Sequence, residues 1–167
     1  VLDAPVTGGD TGAKNATLSI LVGGEKEDFQ AMRPVFEGMG TNINYMGPAG
    51  SGQHAKMANQ IMIAGTMSGI CEALNYAKKE GLDLDTLLAA VSTGAAGSAQ
   101  LNADFAPGFF LKHFIKDMNL ADEEASKMGL ALPVLKQVLA EYRTLEAKGM
   151  GDLGTQALFT YYADKEK

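Results

Sequence analysis

The sequence predicts a mainly α fold, in which a short α/β stretch ends near Gly47 and an all-helical region built round one long helix follows. Three observations predict it. Strand-like apolar runs alternate with a helix-like run only as far as Gly47, and from Pro48 the pattern is helical to the end. The stretch from about Ser51 to Glu80 reads as a single helix that stops at Gly81, a natural C-terminal glycine. The boundary is therefore placed to give residues 1–47 and 48–167 as two parts.

Val1 to Val6 reads as a short buried strand running into Thr7, Gly8, Gly9 and a polar turn as far as Asn15. A Gly-Gly turn exposes backbone N–H groups that can bind a carboxylate or a phosphate. Thr17–Gly23 is a second strand, a helix covers about Lys26 to Glu37, and TNINYMG is a third strand. After the long helix, LDLDTLLAAVSTG gives a helix with Asp83 or Asp85 near its start and Gly94 past its end. GAAGSAQLNADFAP is a small-residue connector that has room for one irregular helix, and Pro107 and Gly108 break the chain before Phe109. The helix that follows carries Phe114, Ile115, Met118 and Leu120 as its apolar side and Asp122, Glu123 and Glu124 as its exposed one. A further helix opens at Pro133 and ends at Gly149, and a last one covers about Thr155 to Asp164 before a frayed charged tail.

With 167 residues, 46% of them hydrophobic, the chain can build one substantial core or two small ones. Lys and Arg number 14 against 20 Asp and Glu, for a net charge of -6. An acidic balance without a basic block argues against nucleic acid or an anionic membrane as partner and leaves a small molecule or a protein. The lone cysteine, Cys71, lies within the apolar helix, which fits a reducing cytoplasm and offers no disulfide framework. His54 and His113 are isolated, so neither is assigned a metal. Gly65, Thr66, Ser68, Gly69 and Glu72 interrupt the apolar run short of membrane-spanning length, and the protein is read as soluble. VLDAPVTGG begins with neither methionine nor a leader, which predicts a segment of a longer protein.

Chemistry concentrates in GSGQHAKMANQ, Gly50 to Gln60. Gln53, Lys56, Asn59 and Gln60 recur at spacings of three and four and form one polar stripe on a helix. Past Gln60 the run Ile61 to Met67 reads as buried nearly all round, so a lysine at its start needs a reason. Lys56 either snorkels its ammonium to water or, beside two carboxamides and a glycine turn, lines a pocket as a general acid or base.

These pieces resemble the β-hydroxyacid dehydrogenase family, with three motifs in order over essentially the whole chain. DAPVTGG, Asp3 to Gly9, looks like the family's substrate-binding motif, which implies that Thr7, Gly8 and Gly9 hold a substrate carboxylate. GSGQHAKMANQ resembles the catalytic motif and implies Lys56 as acid/base, Asn59 as a catalytic and substrate contact, and Gln60 as a substrate contact where many relatives carry a second asparagine. PGFFLKHFIKDMNLA resembles the cofactor motif, with Lys116 touching the nicotinamide cofactor and Phe109 near its ring. Near the C-terminus, Gly154, Thr155 and Gln156 stand where many members carry an aspartate and a serine. The family's G-x-G-x-x-G element after an N-terminal strand is missing. The resemblance thus implies that residues 1–47 are the end of a Rossmann-like cofactor domain, followed by the helical substrate and dimerisation domain. It further implies NAD or NADP as cofactor, a small hydroxy acid as substrate, a homodimer or homotetramer, and no turnover by the chain on its own. Two readings compete: a non-catalytic helical oligomerisation module derived from such an enzyme, and related chemistry on an imine or a sugar-phosphate acid. Lys56 with Asn59 speaks against the first, and the second needs other polar or basic groups round the pocket.

Overall fold

The computed structural model describes residues 1–94, 96–97 and 109–164. These form a small three-stranded sheet with helices, then a run of helices, which is the mainly α class expected. The irregular helix in the connector, the break at Pro107 and Gly108, and the tail at 165–167 fall outside the described residues. The chain divides into two compact units, Val1–Gln60 and Ile61–Lys167. The division lies inside the long helix and beyond Gly47, because the first turn of that helix is hydrogen-bonded to Asp3.

In the first unit, β2 (Leu18–Gly23) is the central strand. It pairs antiparallel with β1 (Val6–Thr7) through Val6↔Ile20 and Thr7↔Ser19, and parallel with β3 (Gly40–Gly47). A parallel pair requires a crossover, and α2 (Lys26–Glu37) supplies it. Alternation on β2 turns Leu18, Ile20 and Val22 to one side, where Phe29 and Phe36 of α2 bury against them.

Two expectations for this unit are corrected. The first strand is shorter than Val1–Val6: Asp3 makes an isolated bridge to Gly23, and the ladder proper starts at Val6. Pro5 between them has no N–H to give the ladder, only a carbonyl that accepts from the Leu21 amide at 2.9 Å. The segment read as a polar turn holds a helix, α1 (Gly9–Lys14), in which Asp10 and Lys14 pair across one turn at 3.0 Å. Gly12 lets α1 lie close on β2, since a Cβ there would stand 3.1 Å from Leu18 Cδ2.

The long helix, α3 (Ser51–Lys79), has the predicted extent and is closed by Gly81 at φ 74. In the second unit it is followed by α4 (Leu84–Val91), α5 (Leu111–Lys127), α6 (Pro133–Ala147), a 3₁₀ turn at Thr155–Ala157 and α7 (Leu158–Asp164). Asp83 is the N-cap of α4, accepting from the Thr86 amide at 2.8 Å. The core lies between α5 and α6: Phe114 meets Tyr142 edge-on at 5.3 Å, and the buried Tyr142 hydroxyl donates to the Thr155 carbonyl at 2.7 Å.

Two burial expectations change here. Ile61 to Met67 is not covered all round within one chain: Ala64, Met67 and Cys71 form a single buried stripe, while Met62 is 65% exposed. On α5, Leu120 points outward at 44% exposure, whereas Asp122 is sheltered and faces Lys136 at 3.6 Å. Ala121 and Ala125 take the buried face instead, because the spacing from Phe114 and Met118 continues through them.

Candidate active site

Lys56 stands in the second turn of α3 and is half-buried, with Asn59 half-buried and Gln60 only 3% exposed one turn further on. Gln53, the fourth member of the stripe, is exposed. The two carboxamides are joined, since Asn59 Nδ2 donates to Gln60 Oε1 at 3.0 Å. A buried amide oxygen needs such a donor, and the bond in turn fixes the Asn59 rotamer. The DAPVTGG segment belongs to the same compact unit. Thr7 ends β1, and Gly8 and Gly9 follow at φ 127 and 64, left-handed backbone that glycine adopts without strain.

One residue joins these two segments, and the sequence gives it no role. The Asp3 carboxylate accepts from Gly50 N at 2.7 Å and from Gln53 N at 2.9 Å, both free amides at the start of α3. Partners 47 and 50 positions away leave no local signal in the sequence. Desolvation works to raise the Asp3 carboxyl, but backbone hydrogen bonds from Gly50 and Gln53, helped by Gly52 and its own amide, outweigh it and hold the group below its ordinary 3.8. A depressed carboxyl stabilises the fold above its unfolded pKa, and that contribution disappears as pH falls through the folded value. The melting temperature of the native protein is thus expected to exceed that of Asp3→Asn at neutral pH, with the gap closing as pH falls through and below the ordinary 3.8. Thermal melts of both from neutral pH to below that value would show it, and a constant gap would mean that charge is irrelevant to the contact.

The expected cofactor contacts lie in the second unit, Phe109 just before α5 and Lys116 in its second turn. Lys116 is 69% exposed with Asp117 Oδ1 at 3.8 Å, and Phe109 is half-exposed with its ring 6.1 Å from Phe114 and 6.3 Å from His113. Phe109 is held by its backbone, its carbonyl accepting from Thr155 N at 3.2 Å. An exposed flat ring can stack on an aromatic base, and an exposed ammonium can pair with a phosphate. Gly149 to Gly154 spells G-x-G-x-x-G, but it follows the C-terminus of α6 and its last glycine bridges to Phe110, so it has no strand-to-helix turn to form.

Cys71 is inert as a nucleophile. Burial, reinforced by the nearby Glu141 charge, pushes its thiol up to about 12, so it stays protonated at neutral pH. Among the described residues no three His, Cys, Asp or Glu side chains gather as a metal site, and no helix is long and apolar enough to cross a membrane.

Comparison with known proteins agrees with the three motifs. The family model described as NAD-binding of NADP-dependent 3-hydroxyisobutyrate dehydrogenase matches residues 50–162, and that for the NAD binding domain of 6-phosphogluconate dehydrogenase matches 1–47. An uncharacterized oxidoreductase of Bacillus subtilis is 52% identical over 95% of this chain and 58% of its own length. A probable 3-hydroxyisobutyrate dehydrogenase-like protein of Arabidopsis thaliana is 51% identical over 94% of this chain and 49% of its own. Among solved structures, the 3-hydroxyisobutyrate dehydrogenase of Mycobacterium tuberculosis with L-serine is 32% identical, with a TM-score of 0.84 over 95% of this chain and 60% of that one. The chain thus spans about half the length of the curated relatives it matches. The motif order, the helical fold and a family model that covers most of the chain lead to one assignment: this chain belongs to the β-hydroxyacid dehydrogenase family.

Proposed function

We propose that the protein, at full length, is an NAD(P)-dependent oxidoreductase acting on a small 3-hydroxy acid and its semialdehyde or oxo acid, with Lys56 as the acid/base. The observation that carries this reading is the half-buried Lys56, one turn ahead of the joined Asn59 and Gln60 amides, on a helix tied by Asp3 to the DAPVTGG segment. Lys56 takes the hydroxyl proton when the alcohol is oxidised and returns it to the carbonyl oxygen in reduction. Asn59 orients the substrate and the lysine, and Gln60, buried behind it, keeps Asn59 in place. Thr7 with the Gly8 and Gly9 amides holds the carboxylate. Lys116 and Phe109 would hold NAD or NADP, which when bound would supply or accept the hydride. Initial rates of the full-length protein with NAD or NADP and a panel of 3-hydroxy acids test the reading. Turnover of simple alcohols at rates equal to the acids would overturn the carboxylate role of Thr7, Gly8 and Gly9.

The domain assignment is part of this proposal: residues 1–47 as the end of a Rossmann-like cofactor domain and 48–167 as the helical substrate and dimerisation domain. Among the described residues no G-x-G-x-x-G turn joins a strand to a helix to cradle the cofactor phosphates. The 167-residue chain is expected to show no nicotinamide-dependent turnover and weak binding at best, which titration with NADH and NADPH checks directly. Tight binding of either would contradict the assignment.

A specific observation also favours self-association. Beside the exposed Met62 in sequence, Gly65, Gly69, Ile70, Leu87, Leu88 and Val91 line an open groove of about 490 Å³ between α3 and α4. An apolar strip of that kind calls for a cover, and a second copy is the reading proposed here, in a homodimer or a homotetramer. In sedimentation at micromolar concentration the 167-residue chain is expected to run as a dimer, and a monodisperse monomer would count against it. The cytoplasm is the location proposed, and a lone free cysteine with no disulfide framework supports it.

A further inference from the structure

Asp3 lies at a crossing of backbones that leaves no room for an alternative arrangement. Its own amide donates to the Gly23 carbonyl at 3.0 Å, its carbonyl accepts from Gly23 N at 2.8 Å, and its carboxylate reaches past β2 to Gly50 N and Gln53 N. A Cβ at Gly23 would stand 2.6 Å from Asp3 Oδ1 and 2.7 Å from Gly52 N. A Cβ at Gly52 would stand 2.7 Å from Asp3 Oδ2. The end of β2, the Asp3 carboxylate and the first turn of α3 therefore pack backbone to backbone. Each carboxylate oxygen takes one amide of a helix start, where the unsatisfied N–H groups and the helix dipole favour an anion.

What this contact fixes matters for the site. Gln53, one of the two amides held, precedes Lys56 by one turn. Asp3 itself opens the segment that leads through β1 to Thr7, Gly8 and Gly9. One side chain thus sets the helix that carries Lys56 against the segment that carries the carboxylate loop. We propose that Asp3 is a positioning residue, which holds Lys56 in register with the Thr7–Gly9 loop. The inference rests on the reading of Lys56 as acid/base given above. Asp3 does not touch substrate in this account; it acts through the first turn of α3. A displacement of about 1 Å at a reacting group lowers turnover by as much as roughly 10²-fold, so even a small slackening of the clamp is measurable.

The isosteric Asp3→Asn is the sharpest perturbation, because an amide has one acceptor oxygen for two facing N–H groups, and its own N–H₂ would oppose the other. In the full-length protein kcat per folded molecule is expected to fall about 10- to 100-fold while KM for the nicotinamide cofactor stays within roughly twofold. A merely structural role would lower the melting temperature and leave kcat per folded molecule within about threefold, which overturns the proposal. Should Asp3→Asn fail to fold, Gly50→Ala strains the same clamp from the other side, because Gly50 sits at φ 91, and the same kcat loss is expected there. The double variant Asp3→Asn with Lys56→Arg separates the two ideas. If Asp3 acts through Lys56, the double variant is no slower than Lys56→Arg alone, and multiplied losses overturn the positioning role. A Lys56→Arg variant with full turnover sinks the acid/base reading itself, and the positioning role with it.

Discussion

Replacing Lys56 by arginine in the full-length protein is expected to lower kcat by roughly 10²- to 10⁴-fold, the range for loss of a positioned acid or base. The substitution keeps the charge and removes the proton transfer, since a guanidinium stays protonated at any working pH. Lys56 is half-buried on a helix whose first turn is fixed, so the longer side chain also enters a constrained site. Two roles for the lysine predict different results. If it only attracts the substrate carboxylate, arginine serves nearly as well and the change appears in KM. If it carries the proton, kcat and kcat/KM fall together while substrate binding survives in part. Steady-state kinetics across several pH values decide between them. A variant that keeps more than about a third of kcat with an unchanged pH profile would reduce Lys56 to an electrostatic anchor.

The elements legible in the sequence were those whose punctuation is local. The helix from Lys26 to Glu37 has the expected bounds because Phe29 and Phe36 set its buried face and glycines flank it. Asp83, Gly81, Pro133 and Gly149 mark helix ends by chemistry that acts within one turn. The small helix Gly9–Lys14 was not legible, because two of its six residues are glycines and its support comes from Leu18 on the neighbouring strand. Leu120 follows the apolar sequence of α5 but not its buried stripe, which passes through Met118, Ala121 and Ala125.

The candidate site divides in the same way. Lys56, Asn59 and Gln60 announced themselves because polar side chains at helical spacing beside an apolar run are a local pattern. Which of the amides stays half-open and which is buried was not readable, since that depends on what covers the helix. Asp3 was visible only as one letter of a motif. Its partners, Gly50 and Gln53, become neighbours only when Asp3 and β3 both pair with β2.

Gly52→Ala is expected to be the most destabilising single methyl at this junction. Gly52 is buried in the first turn of α3, and the added Cβ would overlap the Leu21 carbonyl oxygen while standing 2.7 Å from Asp3 Oδ2 and 3.0 Å from the Asp3 carbonyl. Two of those three atoms are backbone held in the sheet by hydrogen bonds, so no side-chain rotation relieves the overlap. Elsewhere in a helix, glycine to alanine gains about 0.5–1 kcal/mol from backbone entropy, and here that gain is outweighed. Overpacking costs about 1–3 kcal/mol in general, and with backbone on both sides the upper end or beyond is expected. The helix start must move off β2, which withdraws the amides of Gly50 and Gln53 from Asp3 and leaves the carboxylate less well satisfied. Stability and site geometry are therefore coupled at this one position. Urea unfolding of the full-length protein measures the first, and kcat of the folded fraction measures the second. Unfolding midpoints that coincide with the native protein would show that the close approach of α3 to β2 at Leu21 and Asp3 is absent in solution.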